Sequence, residues 1–460
     1  MAKQRSELKV PVSELALGMR VIRLDRPWLE TDFLMQGFVI HTQDEIEDLI
    51  RQCEYVYVEA VEKAPGKTAE PATKNTSTKS KRPFDERRKE PQGLFARFRK
   101  PPLNSPKAST KKPPTTTKPL SNQRPLGTQR VAHINKIATE KELTKARVTY
   151  TDAKQSVKSI MDGIRIGHTL DINQSRKAVN AIVDSIIRNK DALVWLTKIK
   201  QKDEYTAEHS LNVCVLTATF ARYLGHSDEE IRQLALCALL HDVGKSKVPD
   251  EILNKEGRFT DKEFEIMKQH TTYGRDLLMN IKDADRIAID VAHSHHERMD
   301  GSGYPRGLTA HQIPYYAKVV ALADCYDAIT SSRCYDGARA SMEALDIIYK
   351  CRGVQFDEEL ALEFIKCIGL YPPGAIVELN NGEVGIIIST RDDNKLRPRI
   401  LIVRDAAKQL CRERIIDLAK DPSKQDIKIV KEVPNGTYSV DIRVYLAKGL
   451  VIDTASMAGE

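Results

Sequence analysis

The opening stretch MAKQRSELKV contains no apolar run, so nothing in it predicts a secretory signal. Nowhere do about 18 apolar residues follow one another, which argues against a membrane-spanning helix. The eight cysteines, at 53, 214, 237, 325, 334, 351, 367 and 411, include no C-x-x-C pair. Several lie in apolar text such as LNVCVL and LALCALL, so they are expected as buried free thiols of a reducing compartment, not as a disulfide frame. A receiver-type phosphorylation site is also missing, and the upstream signal is therefore not legible. These absences set the expectation of a cytoplasmic protein.

What charge there is sits unevenly. The formal net charge is +8, but residues 63–130 alone hold 18 Lys and Arg against four Asp and Glu, a net of +14 that leaves −6 for the rest. Hydrophobic residues make up 41% of the 460, enough for two or three cored domains. The basic character belongs to one segment and says little about the folded parts.

The chain reads as five stretches. Residues 1–62 predict a small α+β domain, with GMRVIRL, GFVIHT and YVYVEA as strands, QDEIEDLIRQ as a helix, and Trp28 and Phe33 as core candidates. Residues 63–130, with tracts such as KRPFDERRKEPQ and STKKPPTTTKPL, have too little apolar content to order and predict a linker. LFARFRK within it suits an acidic surface, a membrane or nucleic acid, but a solvated spacer is the simpler reading. Residues 131–200 are helical text in which Val179, Ile182, Ile186 and Ile187 share a face. Leu193, Trp195 and Leu196 are anchor candidates against the next domain, and the segment is also a candidate dimer surface. Residues 201–370 continue as helices. After Tyr371-Pro372-Pro373 the text turns to strands, AIVEL and EVGIIIS flanking Asn381-Gly382 as a hairpin and PRILIVRD following, so 371–460 predict a small β-rich domain. The fold expected is multidomain, with an all-α central domain.

Chemistry concentrates in that central domain. His209 falls in a helix (TAEHSLNVCVL), His241 and Asp242 at the end of another (LALCALLHDVGK), and His270 at the end of a third (FEIMKQH). His295 and His296 are adjacent near the end of a fourth, and Asp324 is mid-helix in VVALADCYDAIT. A single helical histidine is usually structural. A His-Asp pair entering the core behind LALCALL is costly unless something pairs with it. Imidazole with carboxylate suits Fe and Mn, and Zn less selectively. Seven such groups exceed what one ion needs and suggest two ions clamping a phosphoryl displacement and activating water. Lys245, three residues after Asp242, is placed either to neutralise a phosphate oxygen or to form a surface ion pair. DGSGYPRGL, from Asp300 to Leu308, has glycines for close backbone approach and Tyr304 as a face on which a base could stack.

The order H…HDVGK…H…SHHERMDGSGYP…ADCYDAIT resembles an HD-GYP domain of the HD phosphohydrolase superfamily. The likeness covers about residues 200–370 and extends to KVPDEILNKEGRFTDKEFEIMKQHTTYG, GLTAHQIPYYAKVVALADCYDAITSSRCY and GVQFD. It implies an all-α HD fold and hydrolysis of cyclic di-GMP to pGpG and, in some members, GMP, with iron or manganese. It further implies metal ligation by His209, His241, Asp242, His270, His295, His296 and Asp324, and catalytic roles for Asp242 and Lys245. Gly303, Tyr304 and Pro305 would line the substrate site, and Lys318 and Arg333 would meet it. Asp300, Asp327 and Thr330 also match. Two positions depart from the pattern. Tyr205 stands where some members carry a Glu that helps hold a third metal, which implies two ions here. RCYD replaces R-P-Y-R, bringing Cys334 and Asp336. VPVSELALGMRVIRLDRPWLETDFLMQGF resembles a domain of unknown function that often precedes HD-GYP domains, with a regulatory or partner-binding role, a diguanylate cyclase being one such partner. The rivals are an HD hydrolase of another nucleotide such as ppGpp, and a silent cyclic di-GMP sensor or adaptor. Nucleic-acid binding rests on the linker charge alone and is not expected.

Overall fold

The computed structural model describes residues 7–25, 38–40, 43–59, 130–199, 205–255, 257–281, 283–331, 341–391, 394–421 and 424–448. Trp28, Phe33, segment 63–129, Arg333, Cys334 and Asp336 lie outside the described residues. The chain divides between residues 106 and 107 into two compact units.

In the first unit, strands β1 (Glu7–Pro11), β2 (Arg20–Leu24), β3 (Phe38–Val39) and β4 (Tyr55–Glu59) form an antiparallel sheet in the order β1-β4-β2-β3. Helix α1 (Gln43–Gln52) sends Ile46 and Leu49 into a core with Val10, Val21, Leu24, Ile40, Val56 and Val58. Alternate residues of YVYVE point inward, as the period of two requires.

The second unit begins with α2 (Thr139–Arg165), whose buried residues recur every three or four positions from Leu143 to Ile164. Helix α3 (Ile172–Arg188) buries Val179, Ile182 and Ile186 on one face, with Ile187 half-buried. Short α4 (Lys190–Leu196) is buried throughout. Then follow α5 (Tyr205–Tyr223), α6 (Asp228–Leu240), a 3-10 turn (Val243–Lys247), α7 (Asp250–Leu253), α8 (Asp261–Lys268), α9 (His270–Met279) and α10 (Arg286–Ser294). Next come α11 (Tyr315–Thr330), α12 (Ser341–Lys350) and α13 (Glu358–Ile368). Helices α5 and α11 are covered on nearly every side, and apolar residues fill most of their circumference apart from buried polar groups such as His209 and Asp327. No helix among the described residues is long and apolar enough to cross a membrane.

Strands β5 (Ile376–Leu379), β6 (Val384–Ser389), β7 (Arg399–Arg404), β8 (Leu410–Asp417) and β9 (Ile429–Val433) make an antiparallel sheet ordered β8-β7-β6-β5-β9. The β5–β6 hairpin turns where expected, with Gly382 at φ +85°. A short helix, α14 (Ile442–Ala447), closes the unit. Within this sheet regular alternation is confined to β8, where exposed residues alternate with half-buried ones; β6 and β7 are buried almost continuously. Trp195, fully buried, donates Nε1 to the Ile387 carbonyl of β6 at 3.0 Å, so this bond ties α4 to the C-terminal sheet and not to the helical domain that follows it in sequence. The described cysteines are all free; Cys53, Cys214, Cys237 and Cys367 are buried, while Cys325, Cys351 and Cys411 are only half-buried.

Candidate metal centre

Capping decides where the ligand-bearing helices start. Ser227 with Glu230 and Thr260 with Glu263 form capping boxes at α6 and α8. Helix α6 then ends at Leu240 and presents His241 and Asp242 just beyond it. Helix α8 ends at Lys268, and His270 opens α9 instead of closing α8, because the backbone runs through Gln269 with nearly helical dihedrals. His209 projects from α5, Asp324 from α11, and His295 caps the C-terminus of α10 with His296 after it.

Four of the imidazoles are oriented in one way. His241 Nδ1 faces the Ala238 carbonyl at 2.7 Å, His270 Nδ1 that of Met267 at 2.6 Å, and His295 Nδ1 those of Val291 and Ala292 at 3.1 Å. His209 Nδ1 faces Asp327 Oδ2 at 2.8 Å. Each acceptor calls for a proton on Nδ1, which leaves Nε2 with a lone pair toward the centre.

The Nε2 atoms converge on Asp242. Its Oδ2 lies 3.2 Å from His241 Nε2 and 3.7 Å from His209 Nε2, and its Oδ1 lies 3.4 Å from His270 Nε2 and 3.6 Å from His295 Nε2. Asp324 Oδ1 completes the first side, 3.0 Å from His209 and 3.8 Å from His241. Two groups result, His209, His241 and Asp324 on one side and His270, His295 and His296 with Asp242 on the other, the donor atoms of each lying within 4.8 Å of one another. All seven ligands expected from the sequence therefore meet in one place.

Lone pairs facing carboxylate oxygens in a buried site repel unless a cation lies between them. His241 Nε2 and Asp242 Oδ1 are buried without a hydrogen-bond partner. The residues thus fit divalent cations, and both groups could hold one. Burial pushes the His270 imidazole down to about 3 and holds His296 well below its ordinary range, so both are available as neutral ligands. Burial works to raise the Asp242 carboxyl, but the neighbouring His241 imidazole and the Lys245 ammonium outweigh it and hold it well below the usual range.

Lys245 donates Nζ to Asp242 Oδ2, which keeps a positive charge at the rim of the site. Tyr304 stacks on His296 with ring centroids 4.7 Å apart, and Phe264 meets its ring edge-on at 6.1 Å. Gly303 lies so close to the preceding loop that a Cβ would fall 2.5 Å from Glu297 Cα. Lys318 is engaged elsewhere, donating to Asp357 Oδ2 at 3.1 Å, where Asp357 caps α13. Thr330 bonds back to the Tyr326 carbonyl and Asp300 accepts from Ser302, both local to their own turns.

Three residues that position the site were not read from the sequence in that role. Asp327, which matched only as a pattern, orients His209. Glu297 accepts the backbone N–H of Arg306 and of Leu308, both at 2.8 Å, and so shapes the Gly303–Pro305 loop. Gly244 abuts the backbone of His270 and Gly274, with no room for a side chain. The signal for Gly244 was its place two residues after the His241-Asp242 pair; for Glu297, an acid beside two histidines reads equally as a ligand.

Comparison with known proteins agrees with this geometry. An HD domain model matches residues 187–360, a domain of unknown function matches 7–175, and a KOW domain associated with HD domains matches 376–435. A cyclic di-GMP phosphodiesterase of Pseudomonas aeruginosa is 36% identical over 286 residues, 62% of this chain and 69% of that protein. The chain belongs to the HD-GYP family. As an HD-GYP protein it is a hydrolase. A cyclic di-GMP phosphodiesterase of Thermotoga maritima is 40% identical over 166 residues, 36% of this chain and 45% of that one. A 3'3'-cGAMP-specific phosphodiesterase of Vibrio cholerae is 34% identical over 157 residues, 34% of this chain and 36% of that one. The sheet that the sequence marked only as β-rich is the KOW part of this HD-GYP protein, and the model of unknown function reaches past the first unit to take in α2.

Proposed function

We propose that this HD-GYP protein hydrolyses cyclic di-GMP to a linear product, pGpG or GMP, with two divalent ions, iron or manganese. The observation that carries this reading is Asp242, whose two oxygens face two separate histidine groups. His209, His241 and Asp324 would hold one ion and His270, His295 and His296 the other, with Asp242 shared. Two ions rather than three are favoured because Tyr205 replaces the acid, and Glu208 beside it in the helix is paired with Lys154 at 3.0 Å. Such ions, when bound, lower the pKa of water and neutralise phosphoryl oxygens.

The chain's own groups do the rest. Asp327 fixes the tautomer and aim of His209. Lys245 offers an ammonium to a phosphoryl oxygen as charge builds there. Tyr304, seated on His296, forms an aromatic wall one ring away from the ligands, where a guanine can pack. Glu297 and Gly303 hold that wall in place.

The test is anaerobic purification, metal quantification, and incubation with cyclic di-GMP while products are followed by chromatography, with Asp242→Ala alongside. Two equivalents of Fe or Mn and appearance of pGpG in the wild type only are expected. Bound metal without turnover at several metal loadings would point to a sensor. The Vibrio relative makes 3'3'-cGAMP the competing substrate to run in parallel; faster turnover of it would overturn the substrate assignment while leaving the reaction class intact.

A further inference from the structure

Helix α11 carries two polar contacts side by side, Asp327 on His209 and Tyr326 on a set of bonds that runs to the C-terminal sheet. Lys198 donates Nζ to Ser341 Oγ at 2.6 Å and to the Tyr326 hydroxyl at 3.4 Å. The Ser341 hydroxyl, accepting from the lysine, is left to donate its own proton to Glu432 Oε1 at 3.1 Å, and Ser341 N–H donates to Glu432 Oε2 at 2.9 Å. Glu432 belongs to β9. At the other end, Tyr326 is followed directly on α11 by Asp327, whose carboxylate takes His209 Nδ1 and the Ser331 hydroxyl.

Taking an ammonium out of water is costly unless it is paired. Burial works to lower the Lys198 ammonium, yet its pKa is raised, because Tyr326, Glu432 and Asp327 all face it. The cation is thus bonded to Tyr326, the residue before Asp327 on α11, and is linked through Ser341 to Glu432 of the sheet. Its surroundings leave little play. Ser341 and Tyr326 are buried, and the Tyr326 ring packs against Phe364 with centroids 5.8 Å apart. Three residues before Lys198, Trp195 is bonded to β6.

We infer that Lys198 is a positioning residue of the metal centre, acting through Tyr326 and Asp327 on His209, and that Glu432 of the KOW sheet holds it in place. The inference rests on the reading of His209 as a metal ligand. It gives the sheet a defined task, since a shift of β9 relative to α11 alters the support of one ligand without touching substrate. A mere structural cross-link would make the same contacts but would not influence the metal.

The experiment uses the full chain loaded with Mn²⁺, as wild type, Lys198→Met, Ser341→Ala and Glu432→Gln. Thermal melting reports folding, elemental analysis after a chelator challenge reports metal retention, and kcat and KM are measured on cyclic di-GMP and on bis(p-nitrophenyl) phosphate. Outer-shell partners of metal ligands typically change affinity or activity by about 10–100-fold, so about tenfold lower kcat, KM within about twofold, and faster loss of one Mn equivalent are expected for Lys198→Met. Ser341→Ala and Glu432→Gln should move the same quantities in the same direction by less. Folded Lys198→Met and Ser341→Ala proteins with wild-type kcat and wild-type Mn retention, whatever their melting points, overturn the inference. If Lys198→Met does not fold, Ser341→Ala decides. If the wild type cleaves bis(p-nitrophenyl) phosphate but not cyclic di-GMP, the substrate reading fails and the generic ester still tests Lys198. If it cleaves neither, Mn retention alone decides.

Discussion

Asp327 takes the Nδ1 proton of His209 at 2.8 Å, and this bond turns Nε2 of the same ring to within 3.0 Å of Asp324. A metal held by His209 Nε2 would make this a carboxylate–histidine–metal arrangement, in which the acid fixes both tautomer and ring plane. Asp327→Ala should lower kcat by about 10–100-fold with weakened metal retention. Steady-state kinetics with metal analysis on the folded variant check this; unchanged metal content with unchanged kcat would show that His209 is held by packing alone.

Gly244 makes the second ligand group possible. Its Cα faces the backbone of α9 so closely that an added Cβ would meet the His270 carbonyl and lie 2.9 Å from Gly274 Cα. Gly244→Ala must push the 3-10 turn off α9, a strain of about 1–3 kcal/mol for one added methyl in a packed site. His270 should then lose its place, and the metal bound beside it should dissociate first. Counting metal per chain in Gly244→Ala gives the answer: a full complement would mean that the backbone relaxes without moving His270.

The loop carrying Tyr304 is set by one carboxylate. Glu297 accepts two backbone N–H groups from residues 306 and 308, and a buried donor left unpaired costs about 1–3 kcal/mol. Glu297→Gln replaces one acceptor by a donor and should loosen the wall while His295 keeps its bonds to Val291 and Ala292. The expected signature is a raised KM with nearly unchanged metal content. A fall in metal content with KM unchanged would instead place Glu297 in support of the ligands.

Much of this site was legible in the sequence, and the reason is physical. Paired ionisable groups at the end of an apolar run, as in LALCALLHD, cannot be accommodated by packing, so they announce chemistry. Helix starts at Ser227 and Thr260 were also encoded locally by capping residues. What stayed hidden depends on contacts between distant segments. Asp327 and Lys198 are 118 and 11 residues from His209, and no period or spacing ties them to it. The burial of β6 was hidden likewise, since its Ile387 carbonyl meets Trp195 of α4, 192 residues away in the chain.

The C-terminal sheet carries its own acid-sensitive contact. Glu378 receives Lys408 Nζ at 2.6 Å, Lys431 Nζ at 3.2 Å and the Tyr438 hydroxyl at 3.0 Å. The Lys408 hydrogen bond is the main cause that brings its carboxyl down to about 2. A depressed folded pKa favours the native state above the unfolded value of about 4.3, and the benefit fades as pH falls from there toward about 2. Glu378→Gln should be less stable than wild type at pH 7 and should close much of that gap by pH 3. Denaturant unfolding at both pH values measures it; a gap that does not narrow would show that the ion pairs contribute nothing to folding.

Removing metal should destabilise the second unit, because the centre gathers five imidazoles and two carboxylates around space that only a cation reconciles. A ligand that binds the native state alone stabilises by about 2.7 kcal/mol at 100 times its Kd. Saturating Mn²⁺ should therefore raise the melting temperature of chelator-stripped protein by several degrees. Asp242→Ala removes the carboxylate that both ions would share, so its melting temperature should respond far less to the same Mn²⁺. Equal shifts in the two proteins would mean that Mn²⁺ acts elsewhere on the chain. A shift in the wild type that develops in two steps as Mn²⁺ is added would reveal unequal sites, and repeating the titration in Asp327→Ala would assign the weaker step: it moves to higher Mn²⁺ if that ion is the one bound by His209.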